Sequence, residues 1–449
     1  MTSADRRYDA DLTREQVQAL VQDDRVHRDL YTSPALFALE QQHLFANTWN
    51  FVGHASQVPQ TGDYVMVTIA GRPLLMVRQA DGSVGVLHNR CAHKGAQLVT
   101  APTGNVGRVF RCPYHSWTYK LDGAPLAVPL RSGYEGTGLQ ASSSAEGLQA
   151  LRHVSVYRDF VFARLSDVGP EFNTYCGPML RVIDLLVDRS PVGRLQVAGG
   201  CLRTVVRCNW KMYVENINDT VHPLSTHESA TAAARAVWAG QPDDAPKPMA
   251  MEQILPFAAG HDFFDGMGGR IHPNGHSVLG IHFSLHSSYG QLADYEQALR
   301  DAWGEARATE VLQRSPQNAF IFPSVSLKSS PQAIRVIRPL AVDRTLVEAW
   351  SFRAEGSPDL MLQRALTYNR LVFSPMSVVA HDDLHLFESV QRGLVAGHNE
   401  WVSLHRGHRA GEFNEPTQDV NGTNEILMRN QFRAWAHYMA LSLPPSPPT

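Results

Sequence analysis

The chain has 449 residues, 43% apolar and 9% aromatic, enough to bury two hydrophobic cores. Its 40 basic and 43 acidic residues leave a formal charge of −3, which excludes a net-charge drive toward nucleic acid or an anionic membrane. The N-terminal stretch MTSADRRYDADLTREQ is charged where a secretory signal needs an apolar run, and nothing approaches the roughly twenty apolar residues of a membrane helix, so a soluble, cytoplasmic protein is expected.

Residues 12–45 read as helical, with Leu20, Val21, Phe37 and Leu44 among polar neighbours and Ser33-Pro34 as a start signal. From Trp49 to about Leu165 the pattern changes to short β-branched and aromatic runs: 64–69, 74–78, 84–88, 154–157 and 160–165. The turn dipeptides Ala70-Gly71, Asp81-Gly82 and Asp122-Gly123 punctuate them, which predicts a small antiparallel β domain. Beyond Leu165, helical stretches (175–187, 291–313, 425–441) alternate with strand-like ones (195–206, 276–285, 334–339, 345–352). An α+β fold is expected there, and LPPSPPT at 443–449 reads as a disordered tail.

Five cysteines are too few for a disulfide framework, whereas twenty histidines direct attention to metals. Cys91-Ala92-His93 and Cys112-Pro113-Tyr114-His115 each follow a candidate strand, so each loop offers one thiolate and one imidazole. A zinc finger usually takes both cysteines from one loop and both histidines from another segment. The mixed pairing suits a [2Fe–2S] cluster of Rieske type, with two Cys on one iron and two His on the other; a structural zinc is the alternative. Cys176, Cys201 and Cys208 lie in apolar or helical settings and read as core thiols.

A second constellation lies in Trp210–His227, where Asp219 and His222, three apart, share a face of any helix, so the carboxylate can fix the imidazole tautomer. His227 falls about 140° from His222 on an ideal helix, and Pro223 is expected to move His222 out of helical geometry and let both rings converge. Asp382 or Asp383 is the best distant carboxylate. Two His and one carboxylate form the facial triad of non-heme iron oxygenases. The same residues are also compatible with a helix hydrogen bond and solvated N-terminal charges.

Together these segments resemble the large (α) subunits of the Rieske non-heme iron aromatic ring-hydroxylating oxygenases. HNRCAHKGAQL and RCPYHSWTYKLDG look like the family's cluster segments, NWKMYVENINDTVHPLSTH like its iron segment, NAFIFPSVSL and IRVIRPL like its central strands, and DDLHLFESVQRGL like its third-ligand helix. The resemblance implies an N-terminal segment (1–45) packing on the catalytic domain, a Rieske domain (46–165), and a catalytic domain (166–442) whose central antiparallel sheet is flanked by helices. It implies a cluster on Cys91, His93, Cys112 and His115, and mononuclear Fe(II) on His222, His227 and Asp383, the second acid of the pair. Asn216 falls beside the iron. Asp219 falls on the acid that bridges an iron-ligand histidine to a cluster histidine of the neighbouring subunit, here His115.

The activity implied is O2-dependent hydroxylation of an aromatic substrate in aromatic hydrocarbon catabolism. A cis-dihydrodiol is the first product to expect, and an aromatic carboxylate is the substrate class that VHPLSTHES and NGTNEILMRNQFRAW most resemble. Monooxygenation with O- or N-dealkylation is the alternative, and an electron-transfer Rieske protein the alternative of another class. NAD(P)H would act only through a reductase, alone or with a ferredoxin. The α chains are expected to close into a trimer, as α3 or, with a small β subunit, α3β3. Asp219, where quaternary-ammonium enzymes carry glutamate, places the chain on the aromatic branch.

Overall fold

The computed structural model describes residues 12–139, 146–242, 244–286, 292–396, 398–441 and 443–445. It contains two compact units: Phe45–Phe172, and a second formed by the chain up to Leu44 together with Asn173 onward. The sequence boundaries 46 and 165 fall inside the first unit. The expected tail lies outside the described residues from 446 on, as do residues 1–11 of the N-terminal segment.

The Phe45–Phe172 unit is antiparallel throughout. Asp63–Ile69 pairs with Arg72–Arg78, which pairs with Val84–His88. Ala70 and Gly71 close the first hairpin at φ 49° and 69°, the left-handed pair a two-residue turn requires. The pleat sends alternate residues of this sheet to opposite faces, and both faces are buried. Tyr64, Leu75, Val77 and Leu87 enter a core with Cys91, Cys112 and Trp117, while Val67, Leu74, Met76 and Val86 enter another with Val161. The two cysteine loops are therefore backed by a core of their own.

The second unit is built on an eight-stranded antiparallel sheet in the spatial order Leu195–Val206, Arg344–Ala354, Ala333–Ala341, Val325–Lys328, Asn318–Ile321, Ser277–Leu279, Gly269–Ile271 and Gln418–Val420. The run 195–206 is one strand, bulged where Gly199 and Gly200 take φ 73° and 79°. A Cβ on Gly199 would meet Leu366 at 2.0 Å, so the bulge needs glycine for space as well as conformation. The stretch 276–285 contributes only Ser277–Leu279, and Gly280 at φ 79° ends it. The helical reading of 291–313 resolves into Ala293–Trp303 and Glu305–Gln313, separated by Gly304 at φ 77°.

The reading of 12–45 as helical needs correction. Helices Arg14–Gln18, Asp29–Thr32 and Pro34–Leu39 are interrupted by Arg25–His27, a strand whose partner is Trp401–Ser403. Ser33 caps the helix opened by Pro34, its Oγ accepting from the Leu36 N–H at 3.3 Å. Farther along, the carboxylate of Glu40, fully buried, accepts from Trp210 Nε1 (2.8 Å) and Trp435 Nε1 (2.7 Å) and pairs with the buried ammonium of Lys211. Removing either charge leaves the other uncompensated, a loss of about 3–5 kcal/mol.

Candidate metal centres

In the Phe45–Phe172 unit the two cysteine loops share one backbone design. Cys91 N–H donates to Ala96 O and Gly95 N–H to Cys91 O; Cys112 N–H donates to Trp117 O and Ser116 N–H to Cys112 O. Each loop is thus closed by the same two bonds at the same spacing, with its left-handed residue at the same place: Gly95 at φ 77°, Ser116 at φ 59°. Arg111 Nη2 donates to Ser116 Oγ at 3.0 Å, holding the residue that lacks glycine's freedom. The thiols of Cys91 and Cys112 are buried and unbridged, whereas His93 is half-buried and His115 exposed.

The rings of His93 and His115 have centroids 4.7 Å apart, and His93 stacks on Trp117 at 4.9 Å and 2°. His93 Nδ1 is buried without a hydrogen-bond partner, and burial, with His115 and Lys94, holds the ring below its ordinary pKa, in the neutral form a metal takes. Tyr119 Oη lies 3.1 Å from Cys91 Sγ and accepts from the Ala92 N–H. Inward thiols and outward imidazoles fit a two-iron cluster whose histidine edge faces solvent.

In the second unit, helix Trp210–Ile217 starts on Asn209, whose Oδ1 accepts from the Lys211 N–H, and stops before Asp219. Asp219 and His222 therefore do not meet across a helical turn. Asp219 instead folds the following segment, accepting from Val221 N–H at 2.8 Å and His222 N–H at 3.3 Å. His222 itself is helical (φ −58°, ψ −34°), because Pro223 sits at the first position of the next helix, Pro223–Thr226. The change of direction falls at His227 (φ −101°, ψ 20°), between that helix and Glu228–Trp238. The two rings converge through this break at His227, and Pro223 does not displace His222 as expected.

Asp383 comes from the helix Val378–Val395, capped by Ser377. His222 Nε2 lies 3.8 Å and His227 Nε2 3.6 Å from Asp383 Oδ1. Among the described residues this is the group of three whose ligand atoms all lie within 4.8 Å of one another. Each imidazole presents Nε2 to that point and has a carboxylate at Nδ1: Asp219 at 3.2 Å from His222, Asp382 at 3.5 Å from His227. A carboxylate behind each ring is the arrangement that orients metal-ligating histidines. The adjacent acids thus stand on opposite sides of His227, with Asp383 facing the shared point and Asp382 facing away.

Asn216 Nδ2 lies 3.1 Å from His222 Nε2 and donates to Asp383 Oδ1 at 3.3 Å. Burial pushes the Asp383 carboxyl above its ordinary range although His222, His227 and Arg335 oppose it, and burial pushes His227 down toward the neutral imidazole. A carboxyl raised by burial beside a His227 held toward the neutral form makes a donor set that a divalent cation would relieve. Burial also raises Asp219, but its hydrogen bond to His222, the Val221 N–H and Arg406 outweigh that and hold it low, hence ionised.

A cavity reaches the three ligands. Phe257, Met267, Leu285, Tyr368 and Phe373 make much of its wall, and Lys328 and Arg335 enter from the sheet. The sequence reading leaves the pocket wall open between 230 and 375 and passes over both cations. Their signal is a lysine and an arginine inside the apolar strand runs VSLK and AIRVIRP.

Residues 48–141 match the Rieske [2Fe-2S] domain family, and residues 189–440 match the ring hydroxylating alpha subunit (catalytic domain) family. The chain is similar to the toluate 1,2-dioxygenase subunit alpha of Pseudomonas putida, 29% identical over 443 residues and 94% of each chain. It is 27% identical to the N,N-dimethyl phenylurea N-demethylase subunit alpha of a Sphingobium species, over 93% of this chain and 94% of the other. In fold it is similar to naphthalene 1,2-dioxygenase from Rhodococcus sp., with TM-score 0.78, 22% identity, and coverage of 98% of this chain and all of the other. No helix among the described residues is long and apolar enough to cross a membrane.

Proposed function

Since the chain belongs to the ring-hydroxylating α-subunit family, with a Rieske domain ahead of its catalytic domain, we propose that it is the terminal oxygenase component that cis-dihydroxylates an aromatic ring. It is an oxidoreductase with a [2Fe–2S] cluster and a mononuclear iron, and it works with O2 and electron-transfer partners. Cys91, His93, Cys112 and His115 hold the cluster, and His222, His227 and Asp383 hold the iron. Bound there, the cluster supplies electrons one at a time and the iron supplies open positions at which O2 is activated.

The protein's own part is orientation and exclusion of water. Asp219, hydrogen-bonded at Nδ1 of His222, and Asp382, 3.5 Å from Nδ1 of His227, orient the two rings so that Nε2 of each faces Asp383. Asn216 holds the near oxygen of Asp383. The aromatic and aliphatic cavity wall positions a ring beside the ligands. Opening of a cavity with an aromatic and aliphatic wall onto a two-histidine, one-carboxylate site is the observation that carries the proposal. Its test is reduction of the enzyme by a reductase and ferredoxin under labelled O2 with a panel of aromatics: a diol carrying two labelled oxygens is expected, and no labelled product from any ring would refute it.

The similarity to an N-demethylase favours a second reading, monooxygenation with dealkylation. Formaldehyde and one labelled oxygen per turnover would mark that outcome. The α chains close into a head-to-tail ring of three, with or without a small β subunit, in which Asp219 receives His115 of the partner subunit. Asp219 remains partly solvent-accessible, beside Arg406 at 3.5 Å.

A further inference from the structure

Three antiparallel strands of the large sheet place three polar side chains on one face. Ser326 is in register with Arg335 and with Phe320, so Lys328 two residues on, Asn318 two residues back and Arg335 all point the same way, into the cavity. Lys328 is 4% and Arg335 5% exposed. On the opposite face of the same sheet the arginines are neutralised: Arg338 and Arg203 both bond to Glu348, at 2.8 and 2.9 Å. On the cavity face, among the described residues, no ion pair is made by Lys328 or Arg335.

What these cations have instead is incomplete. Lys328 Nζ donates to Gln317 O at 2.7 Å and lies 5.6 Å from the Tyr368 ring. Arg335 Nη2 donates to Asn318 Oδ1 at 2.8 Å and to Ser326 Oγ at 3.5 Å, its guanidinium lies over Phe373 (4.7 Å) and Tyr213 (5.6 Å), and its Nε has no partner. Aromatic faces stabilise a cation without replacing the acceptors its other N–H groups lose on leaving water. Burial pushes the Lys328 ammonium well below its ordinary range, and the charge on Arg335 adds to that. The carboxylates lining the cavity are Asp219 and Asp383, both engaged at the histidines.

We infer that Lys328 and Arg335 are a recognition site for the carboxylate of an aromatic substrate whose ring lies against the apolar wall of the same cavity. The inference rests on the oxygenase reading above and narrows it to anionic rings. A planar carboxylate has two oxygens, one for the guanidinium and one for the Lys328 nitrogen, and neither group has a carboxylate within ion-pair distance among the described residues. A neutral aromatic of the same shape would leave the Arg335 guanidinium and the Lys328 nitrogen without an added acceptor, which is a ground for rejection.

The test compares benzoate with benzamide by calorimetric titration of the iron- and cluster-loaded enzyme, oxidised and without reductant, so that binding is read apart from turnover. Wild type should prefer benzoate by a factor on the order of 30 or more. In Lys328→Met and in Arg335→Met that ratio should fall to roughly 1–3, and Arg335→Lys should keep an intermediate value. Cluster absorbance and iron content report whether each variant is folded and loaded. A wild-type ratio near one overturns the inference whatever the variants do, as does a ratio unchanged in both folded methionine variants. Oxygenation of toluene with benzoate neither bound nor oxidised overturns the anion site and leaves ring oxygenation standing. Failure of the loaded enzyme to bind or oxygenate any aromatic removes the oxygenase reading, and this inference with it.

Discussion

The Nδ1 of His222 lies 3.2 Å from the Asp219 carboxylate while its Nε2 faces Asp383 at 3.8 Å. One imidazole is therefore held between two acids, Asp219 held low by its hydrogen bonds and Arg406, and Asp383 pushed up by burial. Asp219→Asn keeps a hydrogen-bonding group but removes the charge that orients the ring. Both metals should remain, and reoxidation of the cluster in a single turnover should slow by roughly 10–100-fold. Stopped-flow absorbance reads this directly, and an unchanged rate would sink the bridging role. Mixed assemblies of His115→Ala and Asp383→Ala chains, each inactive alone, should regain partial activity if electrons cross between subunits.

Asp382 and Asp383 differ by which nitrogen of His227 they face. Asp383→Ala should empty the iron site while sparing the cluster spectrum. Asp382→Ala leaves all three donors in place and should lower iron affinity by about tenfold, the usual cost of losing an orienting carboxylate. Metal analysis after dialysis separates the two. If Asp382→Ala alone loses all iron, the assignment is off by one residue. Substitution of His222 or His227 by Ala should behave like Asp383→Ala, and retained iron in either would redirect the search to His381 or His385.

Replacing His93 or Cys112 by Ala should bleach the protein, because the matched loops leave no spare ligand. The buried thiols sit in the core shared by Leu87 and Trp117, so loss of the cluster should also lower the melting temperature of that unit. Visible absorbance followed through a thermal ramp tests both. A colourless wild type containing only zinc would end the Rieske assignment.

Glu215, half-buried, accepts from the Tyr31 hydroxyl at 2.9 Å. Burial pushes its carboxyl up to about 8 from an ordinary 4.5, against the pull of Tyr31 and Lys211. The folded state thus prefers the protonated form. Its contribution to stability is complete below 4.5, is lost progressively as pH rises to about 8, and is flat beyond. Glu215→Gln mimics the protonated form at every pH. Between pH 6 and 9 the melting temperature of wild type should fall further than that of Glu215→Gln; parallel curves would show that Glu215 does not carry the shift.

The metal-ligand candidates were legible because their chemistry restricts residue type and spacing: two mixed Cys/His loops and an acid flanked by histidines stand out against any background. The long strand Leu195–Val206 was equally plain, since its β-branched run needs no distant information. Arg25–His27 was not, because what makes it a strand is Trp401–Ser403, far along the chain. The helical state of His222 was misjudged by applying the residue-before-proline rule where proline opens a helix. Lys328 and Arg335 escaped because a period-two reading assigns charges to the solvent face, and only the elements packed over the sheet reveal that this face is dry.

Glu40 lies on one side of the cluster-bearing unit in the chain, and its partners Trp210, Lys211 and Trp435 lie on the other. Vectorial synthesis therefore delivers the four cluster residues as a finished module while Glu40 still has no counter-charge, and the last partner arrives only with the helix Ile426–Ala440. Assembly acquires an order: the Phe45–Phe172 unit can fold early on the ribosome, whereas the unit built around Glu40 closes only when Trp435 arrives.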